Sequence, residues 1–234
     1  MACGKYLHIT RDNLGDVLGD EFWSKYFDME FDYESVRERL SEKDPVLAEA
    51  ARYAPEIRIL NQDPWEALCS FILSQCNNIG RIKGLADRLS RAWGAPLGGG
   101  HCAFPEPEAL ARAGETELRK AGCGFRAPYV VAAAQSAADG RLDWDELRRL
   151  PLDEARGKLT ELPGVGPKVA DCALLYGLHR LDAFPMDVWM KRAMKTLFPG
   201  KSPAEFGRCA GIAQQYIFHY SRNHPELFRE QAAG

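Results

Sequence analysis

Residues 161–178 read ELPGVGPKVADCALLYGL: a helix end, a glycine-rich turn and a helix start. A helix closes near Leu162, Pro163-Gly164-Val165-Gly166 makes a tight turn, and Pro167 suits the first turn of the next helix, where a missing N–H is harmless. Two glycines so close together supply positive φ angles and let the backbone approach a partner. The N–H groups of the turn and the helix N-terminus then point outward, a ready receptor for an anion such as a DNA phosphate. A plain helix-to-helix turn has the same signature, and such hairpins also occur in modules that only bind DNA. The hairpin alone therefore does not define an enzyme.

Lys168 opens the helix after the turn, and Asp187 follows 19 residues later in FPMDVWMKRAMKTLF, residues 184–198, at the start of another helix. Antiparallel helices joined by a short loop let these two side chains meet. An amine can attack the C1′ carbon of a deoxyribose as its base departs and hold the product as a Schiff base, while a nearby carboxylate stabilises positive charge growing on the sugar. The attacking amine must be neutral, a form favoured by desolvation and by the positive end of a helix dipole. Read singly, Asp187 is also a good helix N-cap and Lys168 a solvated lysine touching phosphate.

Around this stretch lie 234 residues, 46% hydrophobic and 27% charged, enough for a substantial core in one large or two small domains. Net charge is −3, yet residues 1–50 hold 12 acids and 6 bases against 21 acids and 24 bases in residues 51–234, so the acidity is concentrated at one end. No apolar run is long enough to span a bilayer and no secretory signal opens the chain, so the protein is expected inside the cell. Seven cysteines without a C-x-x-C pair read as free thiols rather than a disulfide framework or zinc site.

Apolar spacings of three and four predict helices near 20–28, 33–41, 44–53, 63–76, 79–93, 105–120, 126–139, 143–150, 152–161, 167–178, 187–197 and 203–222. Only KYLHIT, residues 5–10, looks strand-like, and the loop from Gly94 to Pro107 reads as a surface connection. The expected fold class is mainly α.

LPGVGPKVADC followed by FPMDVWMKRAM resembles the 8-oxoguanine DNA glycosylase branch of the helix-hairpin-helix superfamily, with both flanks and the spacing between them matched. The resemblance runs from about residue 22 to the end. It implies two helical subdomains around a cleft, residues 21–61 together with 183–234, and residues 62–182 containing the hairpin at about 152–178, preceded by a short β remnant at 1–20. It makes Lys168 and Asp187 the catalytic pair, and Gly164, Val165 and Gly166 the phosphate grip.

DPWEALCSFILSQCNNIGRIKGLADRL, residues 63–89, and AGCGFRAPYV, residues 121–130, resemble the family's two other DNA-facing loops. By resemblance Asn77, Asn78 and Arg81 come from the first and Phe125 and Arg126 from the second, filling the gap left by an extruded base and contacting its widowed partner. Cys172 and Phe218 then flank the flipped base and Gln214 reads its Watson–Crick edge. Lys168–Cys172 and Gln214–Phe218 are both i, i+4 pairs, so each helix presents two groups to one side.

The chain departs from the family in places. Relatives usually begin with a small β-rich domain, of which at most the last strand is present. Cys76 stands where many relatives have asparagine, and Trp189, read as a DNA contact, stands where some have histidine. The four-cysteine cluster of iron–sulfur relatives is lacking, so no metal or cofactor is expected beyond a monovalent cation at the hairpin. The expected partner is double-stranded DNA containing a damaged base, with no membrane, and the expected state a monomer. Three activities fit: a bifunctional 8-oxoguanine glycosylase and AP lyase, a monofunctional alkylated-base (3-methyladenine type) glycosylase, and a non-catalytic DNA-binding module.

Overall fold

The computed structural model describes residues 20–228. The strand-like KYLHIT and the expected β remnant, apart from its last residue, lie outside the described residues. The described chain is mainly helical: α1 (Asp20–Tyr26), α2 (Tyr33–Lys43), α3 (Pro45–Tyr53), α4 (Pro64–Leu73), α5 (Ile79–Trp93), α6 (Pro107–Lys120), α7 (Ala127–Ala138), α8 (Trp144–Arg149), α9 (Leu152–Thr160), α10 (Pro167–Gly177), α11 (Val188–Leu197) and α12 (Ala210–Asn223). Local chemistry sets their starts. Asp44, Asp63, Asn78, Asp143 and Asp187 each accept a backbone N–H from the helix that follows. Proline occupies the first turn of α3, α4, α6, α7 and α10, where its fixed φ helps.

Three local differences from the sequence reading have physical causes. Helix α4 stops at Leu73, not residue 76, because the Asn77 side chain donates to the Leu73 carbonyl (3.1 Å) and Cys76 turns left-handed at φ +48°. The segment 203–222 divides into a 3-10 stretch, Pro203–Cys209, and α12, with Gly207 at φ +74° breaking the ladder. The 94–107 connection contains a small hairpin, β1 (Pro96–Gly98) antiparallel to β2 (His101–Cys102), closed by Gly99 and Gly100 with positive φ at both, as a type I′ turn requires.

Helices α2, α3, α11 and α12 pack on one another, and α4 packs with α5, α7 and α10, with α6 against α7 and α9 against α10. One continuous core joins the two sets, with Leu47, Ile59, Leu68, Ile72, Phe198 and Tyr216 fully buried. Helix α10 is pinned at its far end. Gly177 lies against Pro64, leaving no room for a Cβ, and His179 Nε2 meets Asp28 Oδ2 (2.9 Å), which also accepts from Tyr33 Oη (2.8 Å). That anchoring fixes the helix that carries Lys168.

Candidate active site

The hairpin uses its two glycines differently. Gly164 has φ +76°, and a Cβ there would collide with the Tyr129 ring. Gly166 is extended (φ −90°, ψ 175°), a conformation open to any residue, is exposed, and has nothing near its missing Cβ. The positive-φ expectation thus holds at Gly164 only. Val165 is buried and its N–H donates to Leu162 O (3.0 Å), so that amide is taken up by the turn and unavailable to an outside anion. What faces outward is Gly166 and the first turn of α10, which has no side-chain cap.

These geometries separate by mutation. Gly164→Ala is expected to destabilise the fold by about 1–3 kcal/mol through steric clash and left-handed strain, read as a fall in thermal midpoint. Gly166→Ala is expected to leave the midpoint unchanged while weakening DNA binding, because only an external partner fills that space.

Lys168 is half-buried, its Nζ 5.2 Å from the centroid of the Phe71 ring, and Phe71 stacks on Tyr176 (centroids 5.4 Å, planes at 22°). Cys172, one turn further along α10, is 4% exposed. Burial pushes its thiol up to about 12, the Lys168 ammonium pulls the other way, and the Asp171 and Asp187 carboxylates reinforce the rise. The thiol is therefore neutral at physiological pH, and Lys168, Cys172 and Asp187 share one electrostatic neighbourhood. Iodoacetamide at neutral pH is expected to label exposed Cys76 in the native protein and to reach Cys172 only after unfolding, as peptide mass mapping would read.

Asp187 sits at the N-cap of α11 with Oδ1 accepting from Met190 N (2.7 Å). Among the described residues no ion pair joins it to Lys168, and no hydrogen bond engages its Oδ2. The carboxylate of α10 itself, Asp171, pairs with Arg156 on α9 (2.7 Å), fastening the two arms of the hairpin together.

Gln214 is buried, its Nε2 donating to Pro185 O (3.2 Å) and its Oε1 accepting from the Gln215 amide. The expected base reader is thus tethered two residues before Asp187, and it must exchange these partners to read a base. Phe218, one turn later, is half-buried. Tyr176, stacked on Phe71 and with its hydroxyl pKa pushed up by burial, adds an aromatic pair beside Lys168 that sequence reading missed.

The two loops read as DNA-facing are altered in detail. Asn77 is committed to Leu73 O and to Asn78 N, and Asn78 caps α5 through Arg81 N (3.0 Å). Arg81 and Phe125 are exposed, Phe125 by 49%. Arg126 is not exposed. Its guanidinium is buried, donating from Nε to Gln75 O (2.7 Å) and from Nη2 to Cys76 O (3.0 Å), so the side chain read as a DNA contact is engaged between two loops. Trp189 is likewise turned inward. Its Nε1 donates to Ser221 Oγ (2.8 Å), its ring meets Phe228 edge-on, and Arg222 lies over it, whereas the neighbouring Val188 is 85% exposed. An indole N–H beside a serine on the packed helix satisfies itself internally. An apolar residue directly after a capping acid was the available signal for Val188.

The described chain is thus a helix-hairpin-helix whose second helix, without a side-chain cap, carries a half-buried lysine and is followed by a helix capped by Asp187, an arrangement suited to holding an anionic backbone. Comparison with known proteins agrees: residues 69–205 match the HhH-GPD superfamily of base excision DNA repair proteins, and the chain belongs to that family. Residues 10–68 match the 8-oxoguanine DNA glycosylase N-terminal domain, and the described part of that stretch is helical where it is regular. The chain is 31% identical to the probable N-glycosylase/DNA lyase of Methanothermobacter thermautotrophicus over 84% of this chain and 72% of that protein. It is 38% identical to the N-glycosylase/DNA lyase OGG1 of Arabidopsis thaliana over 76% of this chain, spanning 55% of the plant protein. The structure of Clostridium acetobutylicum 8-oxoguanine glycosylase/lyase with double-stranded DNA containing cytosine opposite 8-oxoguanine superimposes with TM-score 0.78 at 34% identity, covering 93% of this chain and 77% of that one. Among the described residues no helix is long and apolar enough to cross a membrane, and no group of three His, Cys, Asp or Glu side chains could hold a metal ion.

Proposed function

We propose that this protein excises 8-oxoguanine from duplex DNA and then cuts the resulting abasic site through a Schiff base on Lys168, working inside the cell where its substrate is. The observation that carries this reading is that α10 begins without a side-chain cap and bears Lys168 half-buried against Phe71, one turn before the buried Cys172 whose thiol feels both Lys168 and the Asp187 carboxylate. A module that only binds DNA has no use for a lysine half-withdrawn from solvent beside that acid.

Lys168 Nζ, in its deprotonated form, attacks C1′ as the C1′–N9 bond breaks and its electrons leave with the base, which takes up the proton the amine loses. Asp187 Oδ2 stabilises the cationic sugar during this step. Opening of the sugar ring gives the iminium, loss of a C2′ proton then expels the 3′ phosphate, and hydrolysis frees Lys168. In this reading Cys172 and Phe218 hold the flipped base, Gln214 reads its edge, Phe125 wedges the gap, Arg81 faces the widowed base, and Gly164 and Gly166 shape the phosphate grip. No cofactor takes part. The Leu162 and Gly164 carbonyls each accept one hydrogen bond and keep a second lone pair, so the hairpin can still offer oxygens to a monovalent cation, which would only stiffen the turn.

Incubation with a duplex carrying 8-oxoguanine opposite cytosine is expected to release the free base and to nick the strand 3′ of the lesion. Binding without release would leave only the DNA-binding module. Release without nicking, insensitive to Lys168→Gln, would favour hydrolysis as in alkylated-base enzymes.

A further inference from the structure

The three loops assigned to DNA are fastened together by a closed ring of contacts. Gln75 Nε2 donates to both Ile72 O (3.2 Å) and Gly164 O (3.0 Å), tying the end of α4 to the hairpin. The Gln75 and Cys76 carbonyls accept from the Arg126 guanidinium, tying the same loop to the 3-10 turn Gly124–Arg126. That guanidinium lies 4.3 Å from the centroid of the exposed Phe125 ring. Phe125 meets Tyr129 edge-on (6.4 Å, 77°), and Tyr129 packs against Gly164 so closely that no Cβ fits between them, which closes the ring. The circuit runs Gly164, Gln75, Arg126, Phe125, Tyr129 and back.

Arg126 is an expensive way to build a merely structural tie. It is 5% exposed and, among the described residues, has no carboxylate partner, so a buried positive charge is met by carbonyl dipoles and the Phe125 ring face. A fork of that shape fixes two successive carbonyls and presents a flat face to an aromatic ring, which an apolar side chain would not do. The ring it holds is the wedge.

We propose that Gln75, Arg126 and Tyr129 form a brace coupling the hairpin's grip on a phosphate to the insertion of Phe125, so that they position the protein for base extrusion and not for bond cleavage. This rests on the glycosylase reading above. Gripping the phosphate seats Gly164, and through Gln75 and Tyr129 it holds the wedge at a fixed height over the same duplex. Without the brace the two loops engage independently, and extrusion is slowed while the chemistry at Lys168 is untouched.

The test is single-turnover kinetics of Gln75→Met, which keeps the side-chain length and removes the amide donor, on two duplexes. One carries 8-oxoguanine opposite cytosine; the other carries a preformed abasic site opposite cytosine, with no base left to extrude. Excision from the first is expected to fall roughly tenfold, the scale of one lost buried hydrogen bond, with cutting of the second within about twofold of wild type. A 2-aminopurine beside the lesion should report slowed unstacking. Tyr129→Phe, which keeps the ring, should match wild type on both, and Tyr129→Ala should show the same split as Gln75→Met. Equal losses on both duplexes, or no loss on either, would overturn the brace. Wild-type protein that cuts neither duplex would overturn the glycosylase reading itself.

Discussion

Lys168→Gln is expected to abolish borohydride trapping of the protein on 8-oxoguanine DNA and to slow base release by roughly a thousandfold or more, the scale on which enzymes lose rate when a nucleophile is removed. The substitution is mild structurally. Lys168 is half-buried against Phe71 and, among the described residues, enters no ion pair, and glutamine keeps most of the stem in place. Thermal stability should change by less than about 1 kcal/mol, and affinity for undamaged DNA should weaken only modestly, by the loss of one positive charge. Rate loss without stability loss is the signature of a residue that acts in the reaction.

Asp187 has two roles that one substitution can separate. As an N-cap it accepts Met190 N, and asparagine caps as well as aspartate. As a carboxylate it offers a charge that asparagine lacks. Asp187→Asn is therefore expected to keep the thermal midpoint within about 0.5 kcal/mol of wild type while base release falls on the order of a hundred- to a thousandfold. Asp187→Ala should show the same kinetic loss and additionally cost about 1 kcal/mol of stability from the missing cap. If asparagine restored activity along with the cap, Asp187 would be structural only. Calorimetry beside single-turnover kinetics on the two variants decides this.

The features legible in the sequence are those set by neighbours along the chain. The Pro163–Pro167 turn, the cap at Asp187 and the periodicity of α10 and α11 depend on residues within a turn or two, and each lies where the pattern predicts. The illegible features depend on distance along the chain. Gln75 reaches Gly164 across 89 positions and Arg126 reaches Gln75 across 51, and no local pattern announces either. For the same reason Arg126 and Trp189, read from resemblance as DNA contacts, are drawn inward by Gln75, Cys76 and Ser221. The β1–β2 hairpin was hidden differently: its glycines are plain in sequence, but strands of three and two residues are too short to show alternation. Gly166 shows the converse. Its identity looked conformational, and its extended backbone shows that the conformation does not require glycine.

The negative net charge is no obstacle to a DNA partner once the helix ends are placed. Asn78, Gly166 and Asp187 mark the N-termini of α5, α10 and α11, whose dipoles add positive potential, and Arg81, Lys83, Lys191 and Lys195 on α5 and α11 are all exposed. Binding should weaken steeply with added salt in proportion to the number of phosphates contacted.

The most direct test is to trap the wild-type protein on a duplex bearing 8-oxoguanine opposite cytosine with borohydride, digest the adduct and locate the modified residue by mass spectrometry. The expected result is a single deoxyribose-derived mass on the peptide containing Lys168. An adduct on a different amine, or efficient base release with no adduct at all, would contradict Lys168 as the nucleophile.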